Sequence, residues 1–296
     1  MGPDEYLEAK DLNDWLDAYQ DNTNKHVILI YDACLSGSFI STLDAGNTDS
    51  TRRTIITSTN ASEKAYFQSI GYLSFSFQFW AYIDSGKTIN EAFQYAMDDI
   101  IVSFNGYQHA QLKTNCDIID HWIGSNLVTA SDPPSIDKIS GELKGSTYDL
   151  IAEGVIGVDR EIQKVWASVM RPDFNPMLEE GPIIDLPEVV LTRLGTSNTY
   201  MGTYNKINRS GEYVFSVYAI DSYDTISRPK QLKVMVHMDH ILDLNGDQLI
   251  DLKDAMVAIR LLAGIPFQNQ NEEMLTIQAP IGMKDLLFIL KCVMLQ

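Results

Sequence analysis

Two groups of residues in this chain have types and spacings suited to chemistry. The first is Cys34, which lies in "KHVILIYDACLSGSF" (residues 25–39) between an acidic residue and a Ser-Gly-Ser turn. A cysteine in its thiolate form is a nucleophile. The second is the acidic run "DLNGDQLIDLKD", in which oxygen-bearing side chains recur at intervals that suit a hard cation such as calcium.

Cys34 follows a continuous apolar run, and this run predicts the element that positions it. Val27 to Tyr31 is β-branched, aliphatic and aromatic, which favours a strand buried on both faces of a parallel sheet. The turn at residues 36–38 then places Cys34 at the carboxyl end of the strand, where ligands bind in open α/β sheets. An inert structural cysteine is the alternative, and position alone leaves both interpretations open.

Residues 1–131 alternate helix and strand patterns, which predicts a parallel α/β sheet covered by helices. In the first helix, Leu7, Leu12, Trp15, Leu16 and Tyr19 lie near one face. A second strand is predicted at residues 52–59, and a later helix begins with a capping box at Thr88 and Glu91. Two strands are too few for a stable sheet, so we expect its first strands upstream of Met1.

After a linker at residues 129–137 with two prolines, the pattern changes to period two. The runs at residues 162–170 and 211–223 alternate, so that Val165, Ala167 and Val169 face one way while Trp166, Ser168 and Met170 face the other. We therefore predict an immunoglobulin-like β-sandwich over residues 132–237, with a spacer or binding role and no catalytic group.

Residues 238–296 are predicted to form a small helical domain that binds calcium. The metal ligands expected at loop positions one, three, five, nine and twelve, with the backbone carbonyl of position seven, are Asp243, Asn245, Asp247, Asp251, Asp254 and Leu249. Ile250 is expected to pack into the core, and Gly264 to end the following helix. Gln248 replaces the usual glycine of an EF-hand loop. The alternative is an acidic surface loop that binds no metal.

This loop resembles the dockerin type of calcium repeat, because an aspartate occupies position twelve. Dockerins carry two repeats, and "MKDLLFIL" resembles the "LKDAMVAI" of the first, with Asp285 equivalent to Asp254. Its upstream ligand positions hold Met274, Thr276, Gln278 and Gly282. The resemblance therefore implies one calcium site, and a cohesin-like domain or another protein as partner.

The sequence around Cys34 resembles the catalytic strand of the caspase-like (clan CD) cysteine peptidases, most closely the legumain branch. The resemblance extends over about residues 5–130, through "RRTIITSTNASEKAYF", "GYLSFSFQFW" and the helix that begins at Thr88. It implies that Cys34 is the nucleophile, and that Ser58 and Ser74 border the substrate. The histidine of the family follows a preceding strand, for which nothing in this chain is a match. Leu35 replaces an acidic residue of legumain, so the asparagine preference does not carry over.

Other histidines of this chain are weak substitutes for that base. His26 begins the strand that precedes Cys34, and eight extended residues separate the two by roughly 26 Å. His109 and His121 lie in a loop after the last helix, and His237 and His240 lie at a domain junction. A free thiol is only a few per cent ionised at pH 7, so we expect this polypeptide alone to be a poor or inactive peptidase.

Composition limits the remaining choices. The formal net charge of −18 over 296 residues argues against a nucleic-acid partner, and no apolar run approaches the ~20 residues of a membrane span. Cys34, Cys116 and Cys292 show no metal-ligand or disulfide spacing. The sequence thus predicts a secreted or cell-surface cysteine endopeptidase fragment that acts on peptides or proteins. The alternative is a non-catalytic calcium-binding interaction protein that retains a relic of the peptidase.

Overall fold

A computed structural model describes most of the chain and shows an α/β region, a β region and a helical C-terminal region. The described residues are 7–44, 53–115, 117–124, 132–184, 186–236, 243–247, 249–268, 274–275, 286–287 and 289–290. Within these residues, no helix is long and apolar enough to cross a membrane.

The α/β region contains a three-stranded sheet in the order β1-β2-β3. Strands β1 (Val27–Tyr31) and β2 (Arg53–Thr57) are parallel, as predicted, with Leu29 opposite Ile55. Strand β3 (Gln111–Thr114) pairs antiparallel with β2. The sequence did not predict β3, because its "QLKT" is short and half polar.

Strand β1 is an edge strand of this sheet, which corrects the expectation that it is buried on both faces. All five of its residues are only partly buried, whereas all five residues of the central strand β2 are buried. The described chain places no further strand beside β1.

The first helix, α1 (Ala9–Thr23), uses a different face from the one its apolar spacing predicts. Trp15 and Tyr19 are exposed, while the buried residues of the helix are Asn13 and Gln20. Both polar side chains accept hydrogen bonds from Arg53, whose guanidinium is buried at the start of β2. A buried guanidinium needs acceptors in the protein, and this need decides which side of α1 meets the sheet.

A short helix α2 (Ile40–Leu43) follows the turn after Cys34, and two longer helices pack together after β2. Helix α3 (Phe75–Asp84) is capped by Ser74. Helix α4 (Ile89–Ser103) begins with the predicted capping box of Thr88 and Glu91. The buried apolar side of α4 contains Ala92, Phe93, Ala96 and Ile100.

The β region forms an antiparallel sheet of seven strands in the order β10-β9-β6-β7-β8-β5-β4. The predicted runs are confirmed as β6 (Ile162–Met170) and β9 (Gly211–Asp221). The other strands are β4 (Lys138–Lys144), β5 (Thr147–Glu153), β7 (Glu188–Arg193), β8 (Tyr200–Tyr204) and β10 (Lys230–Val236). The end strands β4 and β10 also contact each other, so the sheet curls into a near-barrel.

Alternate residues of β6 point into two different apolar clusters, as their period of two predicts. Val165, Ala167 and Val169 lie in the core of the curled sheet. Trp166 and Met170 lie on the outer face, in a cluster that also contains Ile100 and Phe104 from the α/β region. The two regions therefore share one hydrophobic core.

The C-terminal region contains helix α5 (Leu252–Leu262) and short strands β11 (Phe267–Gln268) and β12 (Met274–Leu275). Ile250 is 2% exposed in a small core with Ala258 and Leu261, as predicted. Gly264 follows the helix end with a left-handed φ of 78°, also as predicted. The upstream ligand positions and Asp285 of the second repeat lie outside the residues whose side chains are described.

Candidate active site and calcium loop

Cys34 lies three residues beyond the carboxyl end of β1, where the sequence predicted it, and is half-buried. The next residue, Leu35, has a left-handed φ of 59°. A short 3₁₀ helix then runs from Ser36 to Phe39. A left-handed conformation is uncommon for a non-glycine residue, so the chain reverses sharply just after the thiol.

Hydrogen bonds hold this turn against the end of β2. The Ser36 hydroxyl accepts from the Thr59 amide at 3.1 Å, and the Thr59 hydroxyl donates to the Ala33 carbonyl at 3.1 Å. Gly37 approaches the same segment so closely that an added Cβ would lie 2.7 Å from the Thr59 carbonyl oxygen. The turn that presents Cys34 therefore depends on a serine and a glycine at fixed positions.

The Cys34 sulfur accepts a hydrogen bond from the Ala65 amide at 3.4 Å. One residue further, the Leu35 amide donates to the Glu63 carbonyl at 2.8 Å. The segment after β2 thus runs alongside the thiol and directs a backbone N–H at it. An N–H group in this position stabilises a thiolate more than a neutral thiol.

The His109 imidazole has a carboxylate partner. Its Nδ1 lies 2.6 Å from Glu63 Oε1, and its backbone amide donates to Glu63 Oε2 at 2.7 Å. His26 precedes β1, and the His121 carbonyl accepts from the Ile89 amide at the start of α4. His237 and His240 lie outside the described residues.

The two serines predicted to border the substrate have different environments. Ser58 is completely buried, and its hydroxyl accepts from the Ala33 amide, one residue before Cys34, at 3.2 Å. Ser74 lines a pocket of about 650 Å³ together with Ser76, Trp80 and Tyr223. Ser58 therefore supports the chain that leads to Cys34, while Ser74 borders an open space.

Asp32, the acidic residue that the sequence analysis noted before Cys34, contacts a residue that lines this pocket. Its Oδ2 accepts from the amide of Ser76, a pocket residue, at 2.9 Å. Its Oδ1 is buried and has no hydrogen-bond partner in the described part of the chain.

Comparison with known proteins gives one informative match. Residues 1–123 match the Peptidase C13 family. This part of the chain is therefore similar to a family of peptidases. The match includes α1 and extends to the end of the α/β region, and it includes none of the β region. We call residues 1–123 the C13-like segment. No curated protein matches the chain.

Two solved structures show remote similarity. One is that of astrotactin-2, described as a vertebrate-specific, perforin-like membrane protein: identity is 12%, TM-score 0.30, and the alignment covers 59% of this chain and 36% of that one. The other is OgpA from Akkermansia muciniphila, with 9% identity, TM-score 0.25, and coverage of 77% and 70%. This chain thus spans about a third of the first structure, and neither similarity is close enough to support an argument.

Outside the C13-like segment, the C-terminal loop brings together three of the predicted calcium ligands. Carboxylate oxygens of Asp243, Asp247 and Asp254 lie within 4.8 Å of one another. Asn245, also predicted, is 6% exposed, and its side-chain oxygen accepts from the Asp247 amide at 2.8 Å. Asp251 instead caps helix α5, where its carboxylate accepts from the Lys253 amide at 2.7 Å.

Two features of the loop bear on whether it fits a cation. Burial raises the pKa of Asp254 to about 6, with the nearby Asp243 adding to the shift. Carboxylate oxygens are ligands that calcium prefers, and a bound cation would offset both effects. Lys253, however, places its ammonium 2.9 Å from Asp247 Oδ2. Leu249, the predicted carbonyl ligand, forms an isolated antiparallel bridge with Arg209 of the β region.

Cys34 is a free thiol, while Cys116 and Cys292 lie outside the described residues.

Proposed function

We propose that the C13-like segment is the thiol-bearing part of a cysteine endopeptidase, with Cys34 as its nucleophile. The observation that carries this proposal is a half-buried thiol at the carboxyl end of a parallel strand, in a segment that matches a cysteine peptidase family. The thiol gives its proton to a base, and the thiolate attacks the carbonyl carbon of a peptide bond. The C–N bond then breaks, which leaves an acyl-enzyme, and the base returns the proton to the departing amine. Water then hydrolyses the acyl-enzyme.

The backbone around Cys34 supports this chemistry. The Ala65 N–H contacts the sulfur, and the resemblance to legumain implies that the Cys34 N–H is one donor to the oxyanion. The sharp turn at Leu35 exposes the thiol at the sheet edge, since it leads the chain away into the 3₁₀ helix.

We further propose that this polypeptide alone turns over peptides slowly or not at all. The sulfur accepts from an amide, and the His109 imidazole is engaged by Glu63. Proton transfer requires an imidazole within hydrogen-bond reach of the thiol. Beside β1, which is an edge strand in the described part of the chain, an added strand that ends in a histidine would bring an imidazole to the carboxyl edge of the sheet.

The acidic residues of the pocket suggest which side chains the site accepts. Asp84 and Asp224 line it, and their carboxylates favour a substrate group that donates a hydrogen bond or carries a positive charge. Trp80 and Tyr223 add aromatic surface to the pocket, beside Asp224. We therefore expect amide or basic side chains to be preferred over acidic ones.

Turnover of a fluorogenic peptide panel tests these proposals. The chain and its Cys34→Ala variant are compared with a version extended upstream through a strand that ends in His-Gly. We expect at least about 100-fold faster turnover from the extended version, abolished by Cys34→Ala. If the unextended chain turns over peptides and Cys34→Ala stops that turnover, the proposed inactivity is refuted. An extended version with no turnover would favour the non-catalytic alternative.

For the C-terminal region we propose a dockerin-like calcium module that binds a cohesin-like or other protein partner outside the cell. The clustered oxygens of Asp243, Asp247 and Asp254 support the calcium site. Its irregular loop suits the extracellular affinity range of about 10⁻⁴–10⁻³ M. The same observation favours the second candidate function, a calcium-binding interaction protein at the cell surface. Titration calorimetry should show calcium binding that Asp243→Ala abolishes, and no heat from the parent chain would refute the site.

A further inference from the structure

The connector between β6 and β7 spans residues 171–187, of which 171–184 and 186–187 are described, and it reaches from the β region to the segment that faces Cys34. It is 17 residues long by its bounds, which is long for a hairpin connection. It also lies outside the residues that match the C13 family, which end at 123.

Ile183 of the connector pairs with the segment after β2 as a short parallel bridge at Tyr66. Its amide donates to the Ala65 carbonyl at 2.8 Å, and its carbonyl accepts from the Phe67 amide at 2.9 Å. These two backbone hydrogen bonds to Ile183 hold residues 65–67 in an extended conformation.

The Gln68 side chain strengthens this junction with two more hydrogen bonds. Its Nε2 donates to the Ile183 carbonyl at 3.0 Å, and its Oε1 accepts from the Leu186 amide at 3.1 Å. Gln68 is 1% exposed, and Ile183 and Leu186 are buried in the cluster that contains Tyr66. Buried hydrogen bonds in an apolar surrounding are costly to break, so the junction is rigid.

Ala65 joins this junction to the thiol. Its N–H donates to the Cys34 sulfur at 3.4 Å, while its carbonyl accepts from Ile183. An N–H···S contact depends on the direction of the N–H, because hydrogen bonds weaken steeply away from linearity. The backbone dihedrals of Ala65 set that direction. The connector restrains these dihedrals because the Ile183 amide binds the Ala65 carbonyl.

We propose that the connector is a positioning element for the Cys34 thiol, and that Ile183 and Gln68 hold the Ala65 N–H on the sulfur. The inference rests on the proposed function only in that Cys34 is its nucleophile. The β region is then part of the reactive unit, since a segment of it determines how readily the thiol reacts.

Alkylation of Cys34 by iodoacetamide tests the proposal without requiring any peptidase activity. The rate is followed from pH 5 to 10 by mass spectrometry of the peptide that contains Cys34, in the full chain. Ile183→Pro removes the donor to Ala65, and Ile183→Val retains it. Gln68→Ala removes both side-chain bonds, and Ile184→Ala changes an exposed neighbour.

We expect Ile183→Pro and Gln68→Ala to slow alkylation at pH 7 by about 3- to 10-fold and to move the midpoint of the pH profile upward. Their rates at pH 10 should approach that of the parent chain, and both control variants should stay within about twofold throughout. Unfolding would expose the thiol and accelerate the reaction, so a general loss of structure cannot produce this result. If Ile183→Pro does not fold, Gln68→Ala alone decides.

Unchanged profiles in the folded variants would overturn the proposal. Faster alkylation by a variant that melts like the parent chain would also overturn it, and would mean that the connector shields the thiol. The proposed function can fail separately: an extended chain that hydrolyses no peptide, but whose thiol still depends on the connector, would refute the peptidase and leave this inference intact.

Discussion

His109 and Glu63 form a close pair, with Nδ1 2.6 Å from Oε1, in the loop region beside the Cys34 turn. The pair resembles a base and its orienting carboxylate, yet the hydrogen bond at the sulfur comes from Ala65. The His109 side chain is 49% exposed, so its pairing with Glu63 contributes little to stability.

We therefore predict that His109→Ala changes the rate of Cys34 alkylation by less than about twofold and the free energy of unfolding by less than about 1 kcal/mol. Glu63→Gln serves as the matched variant, since it keeps the shape of the carboxylate and removes its charge. A slowing of 10-fold or more with His109→Ala would identify His109 as the base and contradict the proposed inactivity of this chain.

Gly37 is predicted to be intolerant of any side chain. An added Cβ would lie 2.6 Å from Gln111 Oε1 and 2.7 Å from both the Thr59 carbonyl oxygen and the Asn60 carbonyl carbon. Since two of these three atoms belong to backbone, Gly37→Ala should destabilise the chain by about 1–3 kcal/mol and displace the Cys34 turn. Denaturant unfolding measures the loss, and Ser38→Ala, at an exposed position in the same turn, should be nearly neutral.

The free energy of unfolding of the Arg228→Ala variant is predicted to depend on pH, because Arg228 contacts the buried carboxylate of Asp99. Burial raises the pKa of Asp99, while hydrogen bonds from Tyr82 and Arg228 oppose this shift. Arg228→Ala removes one opposing cause, so the pKa of Asp99 rises further and its charged form becomes more costly.

The sign of the pH dependence follows from that change. In Arg228→Ala, folded Asp99 binds its proton more tightly than unfolded Asp99, so stability is lost as pH rises through the folded pKa. We expect a deficit of about 1–2 kcal/mol at pH 7, reduced because Arg228 is 53% exposed, and a smaller deficit at pH 4–5. Thermal melts across this range measure it. A loss of stability that is equal at pH 4–5 and at pH 7 would contradict the role of Asp99.

Lys253 is predicted to weaken calcium binding by the loop. Its ammonium lies 2.9 Å from Asp247 Oδ2 and 3.8 Å from Asp251 Oδ2, so it repels a cation at the same carboxylates. Lys253→Met keeps the aliphatic stem and should tighten calcium binding by about 3- to 10-fold at low salt. Lys230→Met, in β10, is the control and should leave the dissociation constant unchanged. Weaker binding by Lys253→Met would show that the lysine supports the loop instead.

Several features of this protein were predictable from the sequence because their signals are local. The apolar run before Cys34, the capping box at Thr88 and Glu91, and the alternation in β6 each depend on neighbours within a few residues. The proposed calcium ligands are equally local: they lie within twelve consecutive positions, and carboxylate oxygens of three of them lie within 4.8 Å of one another. Periodicity and spacing therefore determined these elements and placed the thiol at the end of its strand.

Tertiary structure decided which surfaces meet. Helix α1 turns Asn13 and Gln20 inward and leaves Trp15 exposed, because a buried guanidinium at Arg53 requires acceptors that no apolar face can supply. The pairing of Ile183 with Ala65 joins residues 118 positions apart (183 − 65), and nothing in either local sequence indicates it. The sequence by itself determined the thiol and its strand. The amide that contacts the sulfur, and the connector that holds that amide, follow from long-range hydrogen bonds that form only when the two regions share a core.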